Sequence, residues 1–169
     1  VRAAPARPAH RAAAGRALSA ARPGLSEKVF PINQGEAGDL VALARSRQLF
    51  LMEAMWTGFM PHIVGVRGLI DSGVIGEITT LIADHGQWFA FNPEHRIFAP
   101  ELGGGALLDL GISPVSFASY LLGTPTPIVA TSAPAPTALA GQTPIPFRHA
   151  TGAPPVPPPT SRALPSTPP

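Results

Sequence analysis

Proline decides where this chain can be regular. Of the 22 prolines in its 169 residues, 14 fall between Pro125 and Pro169 and only four between Ile32 and Thr124. Proline has no N–H to donate to a helix or a sheet ladder, so dense proline excludes both. Organised structure is therefore expected before about residue 124 and an irregular end after it. The run Pro154-Pro155-Val156-Pro157-Pro158-Pro159 has the form of a PxxP ligand for SH3 or WW domains. The composition around it favours a low-complexity or degraded end.

Charge is as uneven as proline. Residues 1–26 carry five arginines and no acid, whereas 27–124 carry all ten acids against Lys28, Arg45, Arg47, Arg67 and Arg96. The pI of about 9.9 thus describes the ends, and the middle is acidic. The arginines are spread through alanine and proline with no aromatic interleaving, so no nucleic-acid partner is expected. With no cysteine, a disulfide scaffold, a thiolate metal site and a cysteine nucleophile are excluded. No uncharged apolar run reaches the ~18 to 20 residues of a membrane helix, so a soluble, cytoplasmic protein without a membrane partner is expected. Residues 1–26 read either as an organelle transit peptide or as folded sequence with a helix over Arg11 to Ala21. The start at Val1 is taken to mark a fragment.

From Glu27 the pattern is that of a folded α/β or α+β protein. Asn33 and Glu36 make an N-x-x-E capping pattern ahead of Leu40, Leu43, Ala44 and Arg47 at helical spacing. Leu49-Phe50-Leu51-Met52 predicts a buried strand. Pro61 suits the first turn of a second helix with Ile63, Val66 and Ile70 on one face, stopped by Gly73. Residues 77–89 read as a strand. Gly103-Gly104-Gly105 opens a third, apolar helix that runs to Gly123.

Few residues stand out as chemistry. Lys28, the only lysine, lies between a strand and a loop, where an ammonium can donate to a substrate or cofactor oxygen or simply be solvated. Asp109 lies inside an apolar helix, where an unpaired carboxylate is expensive. It either faces a polar cleft or serves as an active-site acid, with glycines nearby that permit close approach to the backbone. Ser113 follows it by four residues. The histidines form no H-x-x-x-H or H-E-x-x-H pair, so no metal site is expected. The chain contains no G-x-G-x-x-G, P-loop or G-x-S-x-G.

Three stretches in order carry a resemblance: EKVFPINQGEA at 27–37, MEAMWTGFMP at 52–61, and 101–123 with its GGGALLDLG. They resemble the E-K-P-x-x-x-N, E-A-M-W-T-R-F-x-P and G-G-G-A-L-L-D-L-G-x-Y-P motifs of the Gfo/Idh/MocA oxidoreductases, in the branch of dihydrodiol and xylose dehydrogenases. The resemblance implies the latter half of a Rossmann domain over 1–54. The start of an open-sheet α/β substrate domain would follow over 55–130, and an irregular, proline-rich, degraded or disordered end of that domain over 131–169. It implies hydride transfer between NADP or NAD and a sugar or diol hydroxyl, with a homodimer formed through the C-terminal domain. By the same resemblance, Lys28 and Asp109 are catalytic, with Ser113 at the position of the family tyrosine. Glu27, Lys28 and His10 would border the cofactor, and Met55, Trp56, Phe59 and Arg96 the substrate cleft.

The departures point the other way. A serine hydroxyl at 113 is shorter and far less acidic than a phenol, and Tyr120 is too far along the helix to replace it. The E-K-P proline is Val29, and the arginine of W-T-R-F is Gly58. The glycine-rich turn that seats the cofactor phosphates is absent, so weak cofactor binding is expected. A non-catalytic descendant that keeps only a binding or oligomer surface is the alternative.

Overall fold

The computed structural model describes residues 2–3 and 7–149; the Pro154–Pro159 run lies outside them. Three short strands, β1 (Arg2–Ala3), β2 (Gly24–Ser26) and β3 (Leu51–Glu53), form a parallel sheet in the order β1-β2-β3. Leu25 is opposite Arg2 and Met52, and Ser26 is opposite Ala3 and Glu53. Parallel neighbours need long crossovers. Here they are α1 (His10–Ser19) and α2 (Gln34–Ser46).

These helices form because their apolar positions recur at helical spacing and have each other to bury against. Ala14 and Leu18 of α1 meet Leu40 and Ala44 of α2 in one buried cluster, with Phe30, Leu43, Leu49 and Leu51 packed on it. Asn33 caps α2: its Oδ1 accepts from the Glu36 N–H at 3.0 Å. The helix expected over 11–21 is present, displaced by one to two residues.

The strand predicted at 49–52 is shorter and less buried than its apolar run suggests. It begins at Leu51, all three of its residues are only half-buried, and Phe50 is 63% exposed. Among the described residues it is the outer strand of the sheet, paired on one side only.

Beyond β3, a 3₁₀ turn over Trp56–Phe59 leads into α3 (Pro61–Asp71), with Pro61 in its first turn and Gly73 in the left-handed region at φ +72°. The helix is where its sequence places it, but it buries no residue, and Val64, Val66 and Leu69 are exposed. The strand expected over 77–89 is not formed; those residues carry no regular structure. β-branched composition makes a strand only where a partner accepts its hydrogen bonds, and among the described residues none is paired to it.

The third helix is not one uniform helix. A 3₁₀ turn over Pro100–Leu102 is followed by the glycines, a single π-type turn over Leu107–Gly111, and α4 (Ile112–Leu122). The whole stretch Pro100–Leu122 has the length and apolarity of a membrane span, yet Asp109 near its middle is ion-paired within the chain. That pairing suits the core helix of a folded domain. After residue 124 the chain is more ordered than its prolines suggest. Strands β4 (Ala133–Pro134) and β5 (Ala140–Gln142) pair antiparallel, and Ile128 bridges Phe147. The prolines sit where they cost little: carbonyls of Pro127, Pro144 and Pro146 accept cross-chain bonds that require no proline N–H.

Candidate active site

The polar cluster of the molecule lies just past the carboxyl end of β2. β2 ends at Ser26, and Lys28 follows in the loop toward α2. Its ammonium donates to the backbone carbonyl of Asp109 and stands 4.0 Å from that residue's Oδ1. Arg96 Nη1 donates to the same Oδ1 at 2.7 Å. The Asp109 side chain is 7% exposed, against 25% for Lys28 and 55% for Arg96. Two cations therefore offset the cost of burying the carboxylate. This is why an acid is tolerated inside an apolar helix.

The glycines build this geometry. Gly103 and Gly105 have φ of +64° and +101°, a region that costs other residues energy. Gly104 is needed for space. A Cβ there would lie 2.8 to 2.9 Å from the carbonyl oxygens of Ile97, Ala99 and Arg96. Without it, the 96–99 segment closes over the turn: Gly104 N–H donates to Ala99, and Gly105 N–H to Ile97 at 2.8 Å. That closure brings Arg96 against Asp109.

The Lys28 loop is held from both flanks. On one side His10, only 2% exposed at the start of α1, donates from Nδ1 to the Val29 carbonyl at 2.8 Å. On the other, Glu53 at the end of β3 accepts the Phe30 N–H at 2.7 Å. The Lys28–Val29 peptide is cis. Burial pushes the Glu53 carboxyl above its ordinary range, opposed by the Phe30 hydrogen bond and by the charges of His10 and Lys28. Glu53 escaped the sequence reading although it stands inside the quoted M-E-A-M-W stretch. Its signal was an acid directly after an apolar strand run.

The other predicted positions are dispersed. Glu27 and Ser113 are half-buried. Trp56 and Phe59, on the 3₁₀ turn, are 63% and 66% exposed. Gly58 faces Tyr120, whose ring would lie 3.6 Å from a Cβ at 58. Arg67 covers that ring at 5.7 Å and donates to the Tyr120 carbonyl, so this tyrosine packs between α3 and the turn, away from Asp109. An open pocket of about 310 Å³ lies between α2 and β3, lined by Phe30, Val41, Arg45, Leu49, Met52 and Glu53 among others. Among the described residues no group of three histidines or acids could hold a metal.

In an open parallel sheet, ligands bind outside the carboxyl ends of the strands, and Lys28 occupies such a place. An ammonium beside a buried carboxylate can donate to a carbonyl or alkoxide oxygen while the carboxylate orients the substrate hydroxyl.

Comparison with known proteins identifies the family of the chain. The family described as GFO/IDH/MocA C-terminal domain matches residues 63–153. D-xylose 1-dehydrogenase (NADP(+)) of Hypocrea jecorina is 40% identical over 109 residues, 60% of this chain and 28% of the relative. Human trans-1,2-dihydrobenzene-1,2-diol dehydrogenase is 39% identical over 120 residues, 71% of this chain and 35% of the relative. The chain thus spans about a third of the length of these curated relatives. The aldose-aldose oxidoreductase of Caulobacter crescentus superposes with a TM-score of 0.86 at 22% identity, over 96% of this chain and 50% of that one. The myo-inositol dehydrogenase-like structure from Sinorhizobium meliloti superposes at 0.80 over 97% and 50%. With the family match covering more than half its length, this chain belongs to the Gfo/Idh/MocA family.

Proposed function

We propose that the chain is part of an NAD(P)-dependent oxidoreductase acting on a sugar or diol hydroxyl. The observation that carries this reading is the Lys28–Asp109–Arg96 cluster at the carboxyl end of β2, in a relative of D-xylose and dihydrodiol dehydrogenases. The nicotinamide cofactor supplies the hydride chemistry. Lys28, set at a sheet's carboxyl end, fits a place beside such a ring, and Glu27 belongs to the same border. His10 would act there through the loop it holds, since its ring is buried against Val29. Asp109 orients the substrate hydroxyl, Arg96 pairs with the Asp109 carboxylate, and Trp56 and Phe59 offer apolar surface to the substrate. The exposed apolar residues of α3 suit burial in a homodimer.

The second reading is a non-catalytic descendant. It is favoured by Ser113 at the position of the family tyrosine, where the half-buried hydroxyl is a poor proton donor. The test follows reduction of NADP or NAD with D-xylose and with trans-1,2-dihydrobenzene-1,2-diol. Turnover that falls about 10²- to 10⁴-fold in Asp109→Asn supports the enzyme; no turnover with either substrate supports the descendant. The chain contains no G-x-G-x-x-G turn, so NADPH binding in a fluorescence titration is expected to be weak, and the turnover assay is run at high cofactor concentration.

A further inference from the structure

Glu53 has no part in the cluster just described, yet it is a carboxylate kept in a half-buried place where an apolar side chain would be cheaper. Its position is set by the sheet. It lies opposite Ser26, the last residue of β2, and the Ala54 N–H donates to the Ser26 carbonyl at 2.7 Å. From there its carboxylate reaches across the end of β2 to the Phe30 N–H at 2.7 Å, two residues beyond Lys28. The opposite flank of the loop is held by His10 on the Val29 carbonyl. Lys28 itself is tied to Asp109, 81 positions along the chain. A loop that must carry an ammonium to a distant element needs its own backbone immobilised, or the long side chain samples many positions.

We propose that Glu53 is the positioning residue for Lys28. Its hold on the Phe30 N–H fixes the loop from the β3 side and so sets where the ammonium stands relative to Asp109. The role gains its catalytic meaning from the oxidoreductase reading and rests on it to that extent. The charged groups around Glu53 are His10 from α1 and Lys28 from the loop, with Arg45 of α2 on the shared pocket wall. An ionised Glu53 is attracted by Lys28 as well as bonded to its loop, so both interactions act on the same residue.

Lys28 is the only lysine of the chain, which allows a test without turnover. The full chain labelled with ¹³C,¹⁵N-lysine gives one side-chain Cε signal. Glu53→Leu is expected to move that signal toward its position in the denatured chain. Glu53→Gln, which retains an acceptor oxygen for Phe30, is expected to leave it near the wild-type position. Met52→Ala on the same strand lowers stability without touching the loop bond and is expected not to move it. An unmoved signal in folded Glu53→Leu, or an equal displacement in Met52→Ala, would overturn the proposal. Should the leucine variant not fold, Glu53→Asp withdraws the carboxylate by one methylene and is judged by the same shift. A displaced Lys28 in a chain that turns over no substrate would retain the positioning role and reject the oxidoreductase reading; the reverse pair of results would do the opposite.

Discussion

At the scale of single residues, the molecule spends its least replaceable positions around Asp109. Gly104 has no room for even one added carbon, because three backbone carbonyls stand within 2.9 Å of a Cβ built there. Backbone atoms cannot rotate aside as a side chain would. Gly104→Ala should cost about 2–3 kcal/mol, measured by urea denaturation, and should loosen Arg96 from Asp109. Glu53 gives a prediction in pH. Its folded pKa is raised above the ordinary 4.5, with burial the leading cause. The folded state therefore binds the proton more tightly than the unfolded chain. The resulting stability is present below about pH 4.5 and is lost as pH rises through the folded pKa. Glu53→Gln has no such loss. The melting temperature of the variant minus that of the wild type should grow as pH rises above 4.5; parallel curves in thermal scans would contradict this account. Asp109 was legible in the sequence as an anomaly, a charge in an apolar helix. The family resemblance put Lys28 and Arg96 in the same site, but not their direct contacts with Asp109, since they reach it only through the glycine closure and the end of β2.

Elements were legible in proportion to how local their causes are. The start of α2 follows from Asn33 and Glu36 alone, and the cap bond is there at 3.0 Å. Asn33→Ala should destabilise the protein by about 1 kcal/mol, seen as a lower denaturation midpoint with an unchanged slope. The bounds of α3 follow as directly from Pro61 and Gly73. Strands fared worse. Residues 77–89 have strand composition and no strand, because a ladder requires a neighbour that local sequence does not specify. The paired strands β4 and β5 were hidden for the opposite reason: prolines at 134, 136, 144 and 146 argue against a ladder that needs only their carbonyls. The π-type turn at 107–111 also left no periodic trace, since one wide turn shifts the helical register without changing composition.

At the scale of the whole molecule, apolar surface is the main feature. Phe50, Trp56, Phe59, Leu69, Trp88 and Phe91 are all exposed, while the buried cluster of α1 and α2 is small. Folded monomers seldom leave so much large apolar surface to water. Both tryptophans are at least 60% exposed, so the dilute chain should emit as solvated indole and be quenched freely by acrylamide. A blue-shifted, protected emission that appears with rising concentration would show that self-association covers them.

The sequence by itself determined the α/β class, helices α1 to α3 with the Asn33 cap of α2, and, through three ordered motifs, the family. These depend on neighbours in the chain and on residue types whose backbone preferences act locally. Only the tertiary structure decided that Lys28, Arg96 and Asp109 form one cluster and that Glu53 braces it. It also decided which strand-like segments pair. Those outcomes depend on contacts across tens of residues, such as the 81 that separate Lys28 from Asp109. Such contacts exist only once the sheet and the glycine turn have closed.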